Sequence, residues 1–221
     1  MSIIFTLLFL LSCISSTSST KDDEIALLKI KKQLGDPDIL SSWVEDLSSN
    51  YLTGTIPHEL VHGNWAATLN LSNNRLTGEL PRCGWDADFW LIDVGNNLLS
   101  GDASFLFKKR TWSGGIVLAN NEFEFDLSYV ENIPENIYNL NISHNKIYGK
   151  IPYSFVSSHF YDLDLSFNKL CGEIPQGGNL WEFNSTAFAN NTCLCGYPLP
   201  PCSTSATAPA PILEASLDSS P

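Results

Sequence analysis

A thirteen-residue phrase recurs along the chain and restricts its fold more than any other feature. Its clearest copy is Leu163-Asp164-Leu165-Ser166-Phe167-Asn168-Lys169-Leu170-Cys171-Gly172-Glu173-Ile174-Pro175, and a second runs from Leu69 to Pro81. The consensus is L-x-L-x-x-N-x-L-x-G-x-[IL]-P. Its Asn falls at positions 50, 74, 97, 121, 145 and 168, in steps of 23 or 24 residues. A fixed step of that size signifies stacked units, because one unit cannot bury its own hydrophobic face but its neighbours can do so. Six copies in register exclude leucines scattered through an ordinary globular domain.

Each letter of the phrase has a physical task. The two Leu sit two apart, so on a strand both face the core and the residue between them faces out. The Asn carries donors and acceptors, and at a tight bend it satisfies backbone groups that lack a ladder partner. The Gly permits a bend that a Cβ would hinder, and the Pro, lacking an N–H, suits a turn or an edge. The expected fold is an α/β leucine-rich repeat solenoid. It has a curved parallel β-sheet on the concave face, a short helical or irregular convex side, about six repeats, and a cap at each end. Two copies are irregular: Glu45 stands where a core Leu is expected, and Phe125 stands where Gly belongs.

The flanks divide the chain further. Residues 1–20 read as a secretory signal, with an apolar run from Ile3 to Ile14 that is too short to anchor in a bilayer. Residues 21–46 read as an abbreviated N-terminal cap. In it Ile25, Leu27, Leu28, Ile30 and Leu34 line one helical face, Asp22, Asp23 and Glu24 complement the helix dipole, and Gly35 and Pro37 end the helix. Repeats fill 47–170, a C-terminal cap fills 171–202, and the Ser/Thr/Ala/Pro-rich segment 203–221 reads as a disordered tail. No other stretch is long and apolar enough to anchor the chain in a membrane.

Net charge is -12, from 24 acidic and 12 basic residues. That balance argues against nucleic acid, which needs a basic face, and against docking on acidic polymers such as pectin. Cys13 leaves with the signal, so Cys83, Cys171, Cys193, Cys195 and Cys202 remain, an odd number that cannot all pair within one chain. A metal site at Cys-x-Cys is conceivable from the residues, but a secreted chain favours disulfides.

The segment Asp23 to Lys31, the L-x-G-x-I-P repeat, the stretch Gly101-Asp102-Ala103-Ser104-Phe105-Leu106-Phe107 and the ending Leu170 to Leu180 with Cys193 to Cys202 together resemble the plant extracellular leucine-rich repeat proteins. Among these they are most similar to the polygalacturonase inhibitors. The resemblance covers about residues 1–202. It implies disulfides Cys171–Cys193 and Cys195–Cys202, leaving Cys83 free or bonded between molecules. It also implies a secreted, cell-wall protein of plant defence whose partner is a protein, a fungal endo-polygalacturonase. The chain departs from the family in having about six repeats rather than about ten. In addition, Ser41-Ser42-Trp43 is not followed by the family's Cys-Cys pair, and the family's inhibitory surface lies largely on the central repeats.

Outward strand positions define the concave face. They include Thr68, Asn70, Ser72, Leu91, Val117, Asn120, Asn139 and Asn141. The candidate partner-binding residues among them are Trp90, Asp93, Tyr138, His144, Tyr161, Asp162, Asp164 and Phe167. Exposed aromatics beside carboxylates suit a protein partner, and an acidic strip steers a basic one. A solvated face without a ligand is the plain alternative. Glycosylation sequons occur at Asn70, Asn141, Asn184 and Asn190, the first two in mid-strand on the concave face. Catalysis has little support: His58 and His62 are spaced H-x-x-x-H without the Glu of a zinc protease, there is no glycine-rich phosphate loop, and no metal or cofactor is expected. The reading is a non-enzymatic binding protein, inhibitor-like. Its rivals are a soluble receptor-like decoy of the same fold and a truncated relic. The varied outward residues argue against the flat, regular face of an ice-binding relative of this fold.

Overall fold

The L-x-L pairs call for one strand per repeat, and the computed structural model supplies them. The structure describes residues 45–46, 48–56, 61, 68–82, 90–108, 114–130, 133 and 137–203. The signal, the cap helix, Leu47, His58, His62, Cys83 and all but the first residue of the 203–221 tail lie outside the described residues. In chain order the strands are β1 (Glu45–Asp46), β2 (Thr53–Gly54), β3 (Thr68–Asn70), β4 (Arg75–Glu79), β5 (Leu91–Asp93), β6 (Leu98–Gly101), β7 (Gly115–Val117), β8 (Glu122–Phe123), β9 (Asn139–Asn141), β10 (Tyr148–Gly149), β11 (Asp162–Asp164), β12 (Lys169–Glu173) and β13 (Cys193–Cys195).

The front sheet runs β1-β3-β5-β7-β9-β11, all parallel. Its register sets Leu69, Ile92, Ile116, Leu140 and Leu163 side by side. The second core column, Leu71, Val94, Leu118, Ile142 and Leu165, is fully buried. Glu45 stands opposite Leu69, so the edge strand carries an acid at the register of a core leucine. On the convex side, 3-10 turns at Ser104–Lys108, Leu127–Tyr129 and Tyr153–Ser157 drive Leu106, Phe107, Leu127 and Phe155 into the same core.

The bend after each front strand is built on the repeated Asn. Asn97 Oδ1 accepts from Leu76 N–H of the preceding repeat at 2.9 Å, and its Nδ2 donates to the carbonyls of Leu71 and Val94 at 3.0 Å each. Asn121, Asn145 and Asn168 repeat the pattern, linking Leu99, Phe123 and Ile147 to the following unit. Asn191 extends the column into the C-terminal cap, accepting from Leu170 N–H at 3.0 Å and donating to Leu165 O at 3.0 Å. The repeated phrase does not include this last rung, because Thr186-Ala187-Phe188 replaces L-x-L there.

Nothing in the phrase announces a second sheet, yet the residues after the Asn pair as well. β2-β4-β6-β8 form one parallel sheet and β10-β12-β13 another. The break falls at Phe125. Elsewhere at this position Gly54, Gly78, Gly101, Gly149 and Gly172 adopt φ between +79° and +102°, which glycine adopts readily. Phe125 has no such conformation; its ring is buried against Phe107, with centroids 6.2 Å apart. Between the two rear sheets the regular ladder is replaced by an isolated bridge between Asp126 and Tyr148, with Lys146 and Tyr148 N–H donating to the carbonyls of Phe123 and Phe125. Cys171 pairs in register with Cys193, and both disulfides, Cys171–Cys193 and Cys195–Cys202, close the C-terminal cap.

Candidate binding surface

The front sheet presents four outward columns, one of which, Thr68, Leu91, Gly115, Asn139 and Asp162, lies between the first and the middle of the other three. The first lies just before the strands and holds Trp90, Gly114, Tyr138 and Tyr161, tied by Gly115 N–H to Trp90 O, Tyr138 N–H to Gly114 O and Tyr161 N–H to Tyr138 O. A side chain at Gly114 would place its Cβ 1.4 Å from Trp90 O, so only glycine fits. With that position empty of side chain, the Trp90 and Tyr138 rings meet across it, centroids 5.8 Å apart. Both rings remain exposed, and Tyr161 is 89% exposed.

The middle column is Asp46, Asn70, Asp93, Val117, Asn141 and Asp164. The side chains of Asn70, Asp93, Asn141 and Asp164 cap the bend two residues on. Asp93 Oδ1 accepts from Gly95 N–H at 2.9 Å, Asp164 Oδ1 from Ser166 N–H at 2.9 Å, and Asn70 and Asn141 accept from both the N–H and the hydroxyl of Ser72 and Ser143. Ser72, read from the sequence as outward, is instead 5% exposed, because this turn rotates it under the strand.

The third column was not foreseen as a unit. The residue preceding each ladder Asn has positive φ: Ser49, Asn73, Asn96, Asn120, His144, Phe167 and Asn190, all between 53° and 57°. The exposed side chains stack along the array. Asn96 Nδ2 donates to Asn73 Oδ1 at 2.9 Å, Asn120 Nδ2 donates to Asn96 Oδ1 at 2.8 Å, and His144 lies on Phe167 with ring centroids 4.0 Å apart and planes 12° apart.

The candidate residues therefore form two groups. Trp90, Tyr138 and Tyr161 make an aromatic band along the first column. His144, Asp162, Asp164 and Phe167 gather at the C-terminal end of the array, around a cavity of about 470 Å³. Asp93 stands three strands from β11 and outside this cavity. The cavity arises where a seventh front strand would lie. The 3-10 turn Ser185–Phe188 takes that place, and its flank supplies the acceptors Ala187 O and Ala189 O for Leu165 and Phe167 N–H. Phe183, Asn184 and Thr186 close the far wall. The sequence singles out Asn184 only as a glycosylation sequon and passes over Phe183 and Thr186, since all three fall outside the repeats; the spacing of Asn191 from Asn168 would have placed them beside β11. Of the sequon residues, Asn184 and Asn190 are exposed on the cap, and Asn70 and Asn141 are half-buried on the sheet.

A leucine-rich repeat family model matches residues 67–85 and 136–158. Over 115 residues the chain is 49% identical to a polygalacturonase inhibitor of Pyrus communis, a match covering 52% of this chain and 34% of that protein. The chain has the leucine-rich repeat fold, and over about half of its length it is similar to polygalacturonase inhibitors. A further inhibitor, polygalacturonase inhibitor 2 of Arabidopsis thaliana, is 42% identical over 117 residues, covering 52% of this leucine-rich repeat chain and 34% of its relative. The chain thus spans about a third of the length of the curated relatives it matches. Among solved structures, a plant ice-binding protein superposes with TM-score 0.69 at 37% identity, covering 71% of this chain and 51% of the other. The similar proteins named are two inhibitors and an ice-binding protein, and the two cap disulfides fit an oxidising compartment.

Proposed function

We propose that this chain is a secreted plant defence protein that inhibits a fungal endo-polygalacturonase by covering it with the concave face. The observation that carries the reading is the exposed aromatic band of Trp90, Tyr138 and Tyr161 beside the carboxylates of Asp93, Asp162 and Asp164. Rigid aromatics provide anchor area at low entropic cost, and carboxylates around them select a basic partner. The kinship to polygalacturonase inhibitors supplies the target class. In this reading the chain occludes an active site and performs no chemistry of its own.

The test is an inhibition titration of several fungal endo-polygalacturonases with the monodisperse secreted chain. Saturable inhibition near one-to-one is expected, and Trp90→Ala or Tyr138→Ala weakens it by roughly tenfold or more, as loss of an aromatic anchor does. Full activity of every enzyme at excess folded chain would refute the reading and leave the soluble decoy.

A second reading draws on the Asn73–Asn96–Asn120 row and on the ice-binding structural relative. The strand columns are chemically mixed, but this row repeats one exposed amide per repeat, about 4.8 Å apart on strand spacing. Suppression of ice recrystallisation by the same sample, lost in Asn96→Ala with Asn120→Ala, would select it. Unaltered ice growth excludes it.

A further inference from the structure

The cavity at the end of the front sheet has a chemistry distinct from that of the aromatic band. Asp162 and Asp164 are two apart on β11, so both project from the same face. Asp164 engages Ser166 N–H through Oδ1, and a carboxylate has a second oxygen for a ligand. Phe167 is 46% exposed, and its ring is held in place by the His144 stack. Among the described residues, no Lys or Arg lines the cavity.

Two carboxylates beside a fixed aromatic ring specify a cation. Aromatic faces attract cations, and the attraction strengthens as water is excluded. A guanidinium fits better than an ammonium: it is planar, stacks on rings, is weakly hydrated, and offers a fork of N–H groups that matches carboxylates. A volume of about 470 Å³ accepts one long side chain and little more.

We propose that this cavity is an arginine-anchor site, which receives the guanidinium of one arginine projecting from a protein bound across the concave face. The inference rests on the protein-binding reading above and names the side chain that reading requires at this end of the sheet. It also gives the C-terminal cap a share in recognition, since Phe183 and Thr186 form one wall.

The probe is N-acetyl-L-arginine amide, titrated into the full secreted chain and followed by amide chemical shifts, with the lysine and citrulline analogues as comparators. Citrulline keeps the shape of arginine without its charge. The arginine compound is expected to shift Thr186 and Phe183 saturably. The lysine compound should bind roughly tenfold more weakly and the citrulline compound should not saturate. Asp162→Ser with Asp164→Ser should weaken arginine binding by at least roughly tenfold. That variant adds no glycosylation sequon, and it should keep its fold, because a serine hydroxyl can accept from Ser166 N–H as Asp164 does. Phe167→Ala should weaken it similarly. Citrulline binding as tightly as arginine, shifts confined to Trp90 and Tyr138, or no saturable shift in the unmodified chain would each overturn the proposal. No polygalacturonase enters the assay, so a chain that binds arginine but inhibits nothing separates failure of the target class from failure of the site.

Discussion

Asn97 is 7% exposed and serves four backbone groups: it accepts from Leu76 N–H and donates to the carbonyls of Leu71, Val94 and Gly95. Truncating it strands buried donors and acceptors that water cannot reach, and each unsatisfied group costs about 1–3 kcal/mol. Asn97→Ala should therefore lower unfolding stability by about 3 kcal/mol, read from urea denaturation. Its neighbour Asn96 bonds only at the exposed surface, so Asn96→Ala should cost about 1 kcal/mol, mostly for alanine held at positive φ. Equal losses would mean that the buried ladder is not what holds the repeats in register. The ladder Asn was legible in the sequence because one chemical demand recurs and one residue type meets it. The residue before it was not. There the recurring demand is a backbone conformation, and Ser49, Asn73, His144 and Phe167 all satisfy it, so chemical variety hides a constant geometry.

At the level of elements, the front strands were legible because alternation of core and surface residues writes them directly into L-x-L. The rear strands were not, since two to five residues stacked on their neighbours pair by proximity and leave no alternation to read. The irregular Phe125 was visible as an exception, but its effect on the rear sheet required the packing of its ring. The C-terminal cap is held by β13 on β12, by the Asn191 rung and by two disulfides. The Cys171–Cys193 bond closes a separation of 22 residues and Cys195–Cys202 one of 7. Chain-entropy reasoning assigns the first about 3 kcal/mol and the second about 2 kcal/mol. Replacing each pair by Ser should reproduce that order in calorimetric melting, with the longer loop giving the larger fall in Tm.

For the molecule as a whole, two glycosylation sequons share the concave face with the candidate binding residues. Asn70 and Asn141 lie in the same outward column as Asp93 and Asp164. A glycan on either stands where a flat partner would rest. Asn141→Asp removes the acceptor for the sugar yet keeps the carboxylate geometry that Asp164 uses on its own turn. The variant is expected to bind a concave-face partner at least as tightly as the glycosylated chain, and more tightly in proportion to the occupancy found by peptide mapping. Weaker binding would place the partner elsewhere on the molecule.

The front sheet continues unbroken from β1 to β11, whereas at the rear the ladder between β8 and β10 gives way to the Asp126–Tyr148 bridge and to Lys146 and Tyr148 N–H on the carbonyls of Phe123 and Phe125. Trp90 and Tyr138 come from either side of that seam and meet on the opposite face. Any change in the curvature of the array would therefore alter their ring separation, which makes the pair a reporter of how the arc meets a bound surface.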